Sequence, residues 1–348
     1  MKKKGLSLLL VCAVALLAAA GAGARSSAIN LTGAGSTFVS PLVSVWTPAL
    51  GSAFDYTVQY SAVGSGAGIS AITTRQVDFG ASDAPLTPDQ FGACNGCVQI
   101  PWALAGTSVP YNVPGITPAS AAVHLHLSGG VLAKIYLGQI TNWNDPAIKA
   151  LNPKASMPDL KITPVFRTGN SGTTYNFTDY LSSVSGAWKQ QVGAGQSVNW
   201  PTGTGANGSA GVAGVVANTP GAVAYVDTAF ALTNHLHFAA IKNAAGRFVY
   251  PSIRNVAAAA AMVKKVPANG ELHIVNPPKA YAGAYPISTF SYVLLPTKSQ
   301  NAAALRKMVF WALTQGQAPK YTAKLWFAPI PKTVLSFSEK TLNNINAT

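Results

Sequence analysis

Acidic residues are scarce in this chain. Ten Asp and Glu stand against 24 Lys and Arg among 348 residues, a formal net charge of +14. Charged residues make up only 10% and apolar residues 49%, which excludes a disordered chain and allows a large core, enough for two domains. A nucleic-acid surface would cluster its cations. Here they are scattered singly, with only Lys264-Lys265 and Arg306-Lys307 adjacent beyond the first few residues, so a basic surface without a nucleic-acid partner is expected.

Histidine is also sparse: His124, His126, His235, His237 and His273. None lies in a polar, glycine-rich setting. A serine nucleophile needs a histidine base and an acid to orient it, and "GNSGT" (Gly169 to Thr173) has neither nearby in sequence. His124-x-His126 and His235-x-His237 alternate with leucine, as strand surfaces do, and lack the further acids a metal site would want. No G-x-S-x-G elbow and no G-x-x-x-x-G-K-[ST] phosphate loop occurs. "GTGANG" (Gly203 to Gly208) fits a dinucleotide fingerprint, with Asp227 at about the right distance. The preceding Trp200-Pro201-Thr202 makes a poor buried strand, so a nicotinamide cofactor is not expected. No cofactor and no metal are expected at all.

Cysteine is limited to Cys12, Cys94 and Cys97. The opening "MKKKGLSLLLVCAVALLAAAGAGA" has three lysines, an apolar stretch and small residues, the format of a cleaved signal peptide. Its apolar run is shorter than the roughly 20 residues of a membrane span. Residues 1–24 are therefore read as the leader, cut after Ala22-Gly23-Ala24. Cys12 follows Val11 inside the apolar core, which argues against lipidation. Loss of Lys2, Lys3 and Lys4 leaves 14 − 3 = +11. The protein is expected outside the cytoplasm, periplasmic in a cell with two membranes. In that oxidising compartment "CNGC" favours a short-loop disulfide between Cys94 and Cys97. A redox pair would need a lowered thiol pKa, and zinc two more ligands.

What is present is a repeated loop design. "GAGSTF" (Gly33 to Phe38), "GSGAG" (Gly64 to Gly68) and "RTGNSGTT" (Arg167 to Thr174) each follow a strand pattern and precede a helix or turn. The first turn of a helix offers unpaired N–H groups and a positive dipole end, and glycine admits a close approach. Ser and Thr there can equally be ordinary helix caps. Three such loops in one chain favour an anion site. Strand and helix patterns alternate along the whole sequence, which argues for α/β architecture.

Seven stretches occur in one order: "TGAGSTF", "VGSGAGI", "VDFGASDAPLT", "LGQITNWNDPAI", "FRTGNSGTTYNFTDYL", "WPTGTGANG" and "TPGAVAYVD". Together they resemble the periplasmic phosphate-binding proteins of bacterial phosphate ABC transporters. The likeness runs from Leu31 to Asp227 and continues more weakly through "YPISTFSYVLLP". It implies a two-lobed type II binding-protein fold, α/β in each lobe, with a two-segment hinge and the ligand between the lobes. Lobe one would be residues 30–108 plus 284–348 and lobe two 109–283, crossing at "SVPYNVPG" and "GAYPIST". The resemblance implies a monomer that carries inorganic phosphate to membrane permease subunits and their ATPase, and no enzyme. The implied phosphate contacts fall on Thr37, Phe38, Ser65, Asp83, Arg167, Ser171, Gly172 and Thr173.

Asp83 agrees with that reading on chemical grounds. A carboxylate beside an anion is repulsive unless the ligand carries a proton for it to accept. Phosphate does near neutral pH and sulfate does not, so sulfate would leave two buried acceptors face to face. Arg167 supplies the full positive charge and a planar donor fork. The family often has Arg-x-Asp-Gly-Ser-Gly-Thr; Gly169 and Asn170 stand here in place of Asp-Gly, which removes a carboxylate partner of the arginine. The alternatives are an exported phosphate-ester hydrolase using the same cradle, and a sulfate or molybdate binder of the same fold.

Overall fold

The computed structural model describes residues 28–116 and 125–348. The leader and His124 lie outside the described residues. The strands are β1 (Ile29–Gly35), β2 (Tyr56–Ser61), β3 (Phe79–Ser82), β4 (Cys97–Ser108), β5 (Pro110–Tyr111), β6 (His126–Ser128) and β7 (Thr163–Thr168), followed by β8 (Thr204–Asn207), β9 (Ala222–Val223), β10 (Val226–Asp227), β11 (His237–Phe238), β12 (Ala240–Lys242), β13 (Phe248–Val249) and β14 (Ser288–Pro296).

A six-stranded sheet runs β10-β4-β14-β3-β1-β2, and a five-stranded sheet β11-β5-β9-β7-β8. A small third sheet is ordered β13-β12-β6. Strand patterns explain the positions. "YTVQYS" alternates, with Tyr56 and Val58 buried and Thr57 and Gln59 exposed, and β2 is an edge strand. "STFSYVLLP" has no polar face, and β14 lies buried between β4 and β3. Pro101 has no N–H to give a central ladder. The β4–β14 register slips beside it, between Ser291 and Tyr292.

The chain leaves the first sheet at Ser108 and enters the second at Pro110. The return segment lies beside this crossing. Thr107 N donates to Ile287 O at 2.8 Å, and the Tyr285 hydroxyl donates to Thr107 O at 2.7 Å. Both crossings therefore share one bonded site.

The helix Ser40–Phe54 follows the first of the three polar loops, while Ser65–Thr73 and Gly172–Val184 begin inside the second and the third, whose glycines and hydroxyl residues form their first turns. The helix Lys332–Leu342 is one that the apolar spacing does not announce, because only Val334, Ser338 and Leu342 are buried. Trp46, Trp102 and Trp311 pack edge to face in the core beneath the first sheet.

Two other sequence features find their places. β8 runs through the glycines of "GTGANG" instead of preceding them, and Trp200-Pro201-Thr202 forms no strand, so the dinucleotide geometry is absent. Cys94 and Cys97 are joined as a disulfide with Cα atoms 5.6 Å apart. The Arg75 guanidinium sits on that loop, donating to Cys94 O at 2.8 Å and Asn95 O at 3.0 Å.

Candidate anion-binding site

The three loops converge between the two large sheets. Each arrives by a strand that ends in small residues. β1 ends at Gly35, and Ser36, Thr37 and Phe38 then turn into the helix Ser40–Phe54. Neither Thr37 nor Phe38 donates its N–H to a backbone carbonyl among the described residues. Gly64 caps the second helix, and Ser65 opens it. β7 delivers Arg167, and Ser171 caps the third helix.

Two polar clusters form there. In the first, Arg167 Nη1 donates to Thr37 Oγ1 at 2.9 Å and to Ser209 Oγ at 3.1 Å, and the two hydroxyls lie 2.8 Å apart. Arg167 is only 6% exposed. Burial lowers its pKa, opposed by Tyr225, Asp227 and Asp83, and it keeps its charge. Its Nε is buried with no hydrogen-bond partner among the described residues. An unpaired charged donor of this kind is costly unless an anion meets it.

In the second cluster Asp83, 1% exposed, gathers three serines. Ser36 Oγ donates to both carboxylate oxygens, at 2.7 and 2.6 Å, and Ser291 Oγ donates to Oδ1 at 2.7 Å. Ser65 Oγ reaches Oδ2 at 3.4 Å and accepts from Asp83 N at 3.2 Å. Three hydroxyl protons, that of Ser36 shared between the two oxygens, face about four acceptor sites, which leaves room for one further donor. Burial pushes Asp83 up to about 6, against the pull of Ser36, Ser291, Arg167 and Ser65, and it is ionised at neutral pH.

Gly172 joins the clusters. Its N–H donates to Ser65 Oγ at 3.1 Å. A Cβ there would meet Asp83 Cβ at 2.7 Å and Asp83 N at 2.8 Å, so only glycine admits this approach. Asn170 O accepts from Gly66 N at 3.2 Å in the same contact. Ser171 Oγ accepts from Thr174 N at 3.3 Å and is used as a helix cap. Thr173 Oγ1 is buried without a partner among the described residues. The Phe38 ring is in the core, edge-on to Phe327 at 6.0 Å, which leaves only its backbone for a ligand.

Tyr225 braces the frame. Its hydroxyl accepts from Arg167 N at 3.0 Å and meets Thr174 Oγ1 at 2.7 Å, and its ring stacks on Phe177 at 4.4 Å. The sequence reading missed Ser36, Ser209, Ser291 and Tyr225. Ser36 lies inside "GAGSTF" and Ser209 directly follows "GTGANG", glycine stretches already singled out, a signal that was there to use. Ser291 had none, because it sits within an apolar strand.

The geometry gives a buried, donor-rich site with one positive charge and one carboxylate acceptor. No histidine is among the groups that meet here. Helix starts, hydroxyls and a guanidinium suit a tetrahedral oxyanion, and Asp83 suits one that carries a proton.

Comparisons with known proteins agree with this architecture. A family model described as the PBP superfamily domain matches residues 18–314. A phosphate-binding protein PstS of Xylella fastidiosa (strain Temecula1 / ATCC 700964) is 38% identical over 314 residues, 89% of this chain and 84% of that protein. The PstS of Pasteurella multocida (strain Pm70) is 38% identical over 314 residues, covering 89% of each chain. The crystal structure of a phosphate-binding protein from Stenotrophomonas maltophilia superposes with a TM-score of 0.68 at 20% identity, over 90% of this chain and 94% of that one.

Proposed function

The chain belongs to the PBP superfamily and, within it, to the PstS-like solute-binding proteins with their two-lobed α/β fold, and on that premise we propose that it captures inorganic phosphate outside the cytoplasm. Thr37, Phe38, Ser65 and Asp83 hold the ligand from lobe one, residues 30–108 plus 284–348. Arg167, Ser171, Gly172 and Thr173 hold it from lobe two, residues 109–283. The lobes rotate about the paired crossings at Val109 and Ile287, and ligand contacts from both sides stabilise the closed form. Release is to the permease subunits of an ABC transporter driven by its ATPase. No covalent bond is made or broken.

The observation that carries this reading is Asp83. A buried carboxylate, oriented by three serine hydroxyls and opposite Arg167, has acceptor capacity for a ligand O–H. Monohydrogen and dihydrogen phosphate supply that proton; sulfate brings only another acceptor. Arg167 Nε and the Thr173 hydroxyl supply unpaired donors for the remaining oxygens.

Equilibrium dialysis against labelled orthophosphate tests it. Saturable binding that excess sulfate or molybdate does not displace is expected. Displacement by sulfate would favour the oxyanion alternative. Release of phosphate from an aryl phosphate ester, abolished by Ser171→Ala, would favour the hydrolase.

A further inference from the structure

The hydroxyl of Ser209 is placed where helix formation alone gives it nothing to do. β8 lies parallel to β7, with Ala206 opposite Arg167. The chain then turns at Gly208, with φ of +68°, into the helix Gly208–Asn218, and Ser209 is the second residue of that helix. A serine near a helix start often bonds the backbone of its own turn. Ser209, 1% exposed, makes no such bond among the described residues. Its Oγ faces Arg167 Nη1 at 3.1 Å and Thr37 Oγ1 at 2.8 Å. The second of these contacts reaches from the second sheet to the loop that ends β1 in the first.

Counting protons gives these bonds a direction. Arg167 Nη1 has two N–H groups and no acceptor, and it donates one to each hydroxyl. The contact between the hydroxyls takes one O–H and leaves the other for a further acceptor. Asp227 feels the Ser209 hydroxyl. Yet its Oδ2 has no hydrogen-bond partner among the described residues, and its Oδ1 accepts from Phe230 N at 3.0 Å. The Ser209 proton therefore goes to Thr37. Thr37 Oγ1 then accepts twice, from Ser209 and from Arg167, and both of its lone pairs are used.

We propose that Ser209 is a positioning residue of the anion site, one that makes the Thr37 hydroxyl an obligate donor and holds it toward a ligand oxygen. This rests on the phosphate reading above, in which Thr37 is a ligand contact. The consequence is selective. A hydroxyl with a free lone pair can serve either a donor or an acceptor, whereas one whose lone pairs are spent serves an acceptor only. The oxygen that Thr37 meets must then be unprotonated, which leaves the protonated oxygen to Asp83. Arg167 Nη1 is occupied by the same pair of hydroxyls, and its buried Nε stays unpaired for the anion.

Calorimetric titration of phosphate near neutral pH into wild type, Ser209→Ala, Thr37→Val and the double variant tests the inference. Ser209→Ala is expected to bind about tenfold more weakly than wild type. In the Thr37→Val background the same replacement should change affinity by only about twofold, because valine has the shape of threonine but no proton to direct. Ser209→Cys keeps the size with a weaker donor, so its affinity should fall between wild type and Ser209→Ala, and it takes the place of the alanine variant if that one misfolds. Unchanged or tighter binding by Ser209→Ala, with wild type binding phosphate, would mean that Thr37 donates to Ser209 and would overturn the inference alone. Equal losses from Ser209→Ala with and without the Thr37 hydroxyl would also overturn it, since Ser209 would then act independently of Thr37. Failure of wild type to bind phosphate would overturn the phosphate reading and this inference together.

Discussion

At the scale of single residues, the site separates one acceptor from many donors. Asp83→Asn keeps the shape and turns half of the acceptor into a donor. Phosphate affinity is expected to fall by about 2 kcal/mol, while sulfate binding improves relative to phosphate. A second consequence concerns stability without ligand. The folded pKa of Asp83 is raised from 3.8 to about 6, so the native state holds a proton that the unfolded chain has lost between those values. Wild-type stability relative to Asp83→Asn should therefore fall as pH rises from about 4 to about 6 and then level off. Urea unfolding across that window measures it; a relative stability that rises with pH would contradict the burial effect. Arg167→Lys keeps the charge but loses the fork and the Nη1 bonds to Thr37 and Ser209, and should weaken phosphate binding by about tenfold or more.

At the scale of elements, the site is a set of strand-to-helix turns pressed together. Gly172 begins the helix Gly172–Val184 against Ser65 and Asp83, and Gly172→Ala puts a methyl group where backbone and Cβ atoms already lie. The substitution suits a helix, so the fold should survive with its melting temperature little changed. The two loops, however, can no longer meet, and phosphate affinity should drop by at least about tenfold. Unchanged affinity would mean that this contact is not part of the bound form. This level also marks the limit of what was legible from sequence. The three loops were readable because glycine next to hydroxyl residues after an apolar strand is a local signal. Ser291 was not, since its partnership with Asp83 depends on β14 lying beside β3 and on the register slip at Pro101. Such pairings come from sheet order, which local periodicity does not encode. Ser209 was passed over because "GTGANG" invited a dinucleotide reading, and the strand that settles the matter runs through the glycines themselves.

At the scale of the molecule, the proposed capture of phosphate depends on the balance between separated and joined lobes. One charged contact lies where the segment around His273 meets both the first sheet and the helix Gly172–Val184. His273 Nε2 lies 2.7 Å from Glu271 Oε1, and Nδ1 lies 3.7 Å from Asp179 Oδ2 on the helix Gly172–Val184. The segment carrying His273 is tied to the first sheet by Gln99 Nε2 donating to Asn269 O at 2.8 Å and by Leu272 N donating to the Tyr292 hydroxyl at 3.1 Å. Asp179 and Glu271 outweigh partial burial and push the imidazole up to about 9. Its stabilising charge is fully present below the unfolded value of 6.5 and is lost as pH rises through about 9. The side chain is 48% exposed, so His273→Gln should cost under about 1 kcal/mol at neutral pH and nothing above about pH 10. Thermal melts at the two pH values check this; an equal loss at both would exclude an ionic contribution. The buried Asp83 carboxylate should select an oxyanion that carries a proton. Calorimetric titration of phosphate and of sulfate into wild type and Asp83→Ala near neutral pH measures that selection. Heat from phosphate with wild type, none from sulfate, and a large loss of phosphate affinity in Asp83→Ala is the expected result. Tight sulfate binding by wild type, or phosphate affinity unchanged in Asp83→Ala, would contradict it.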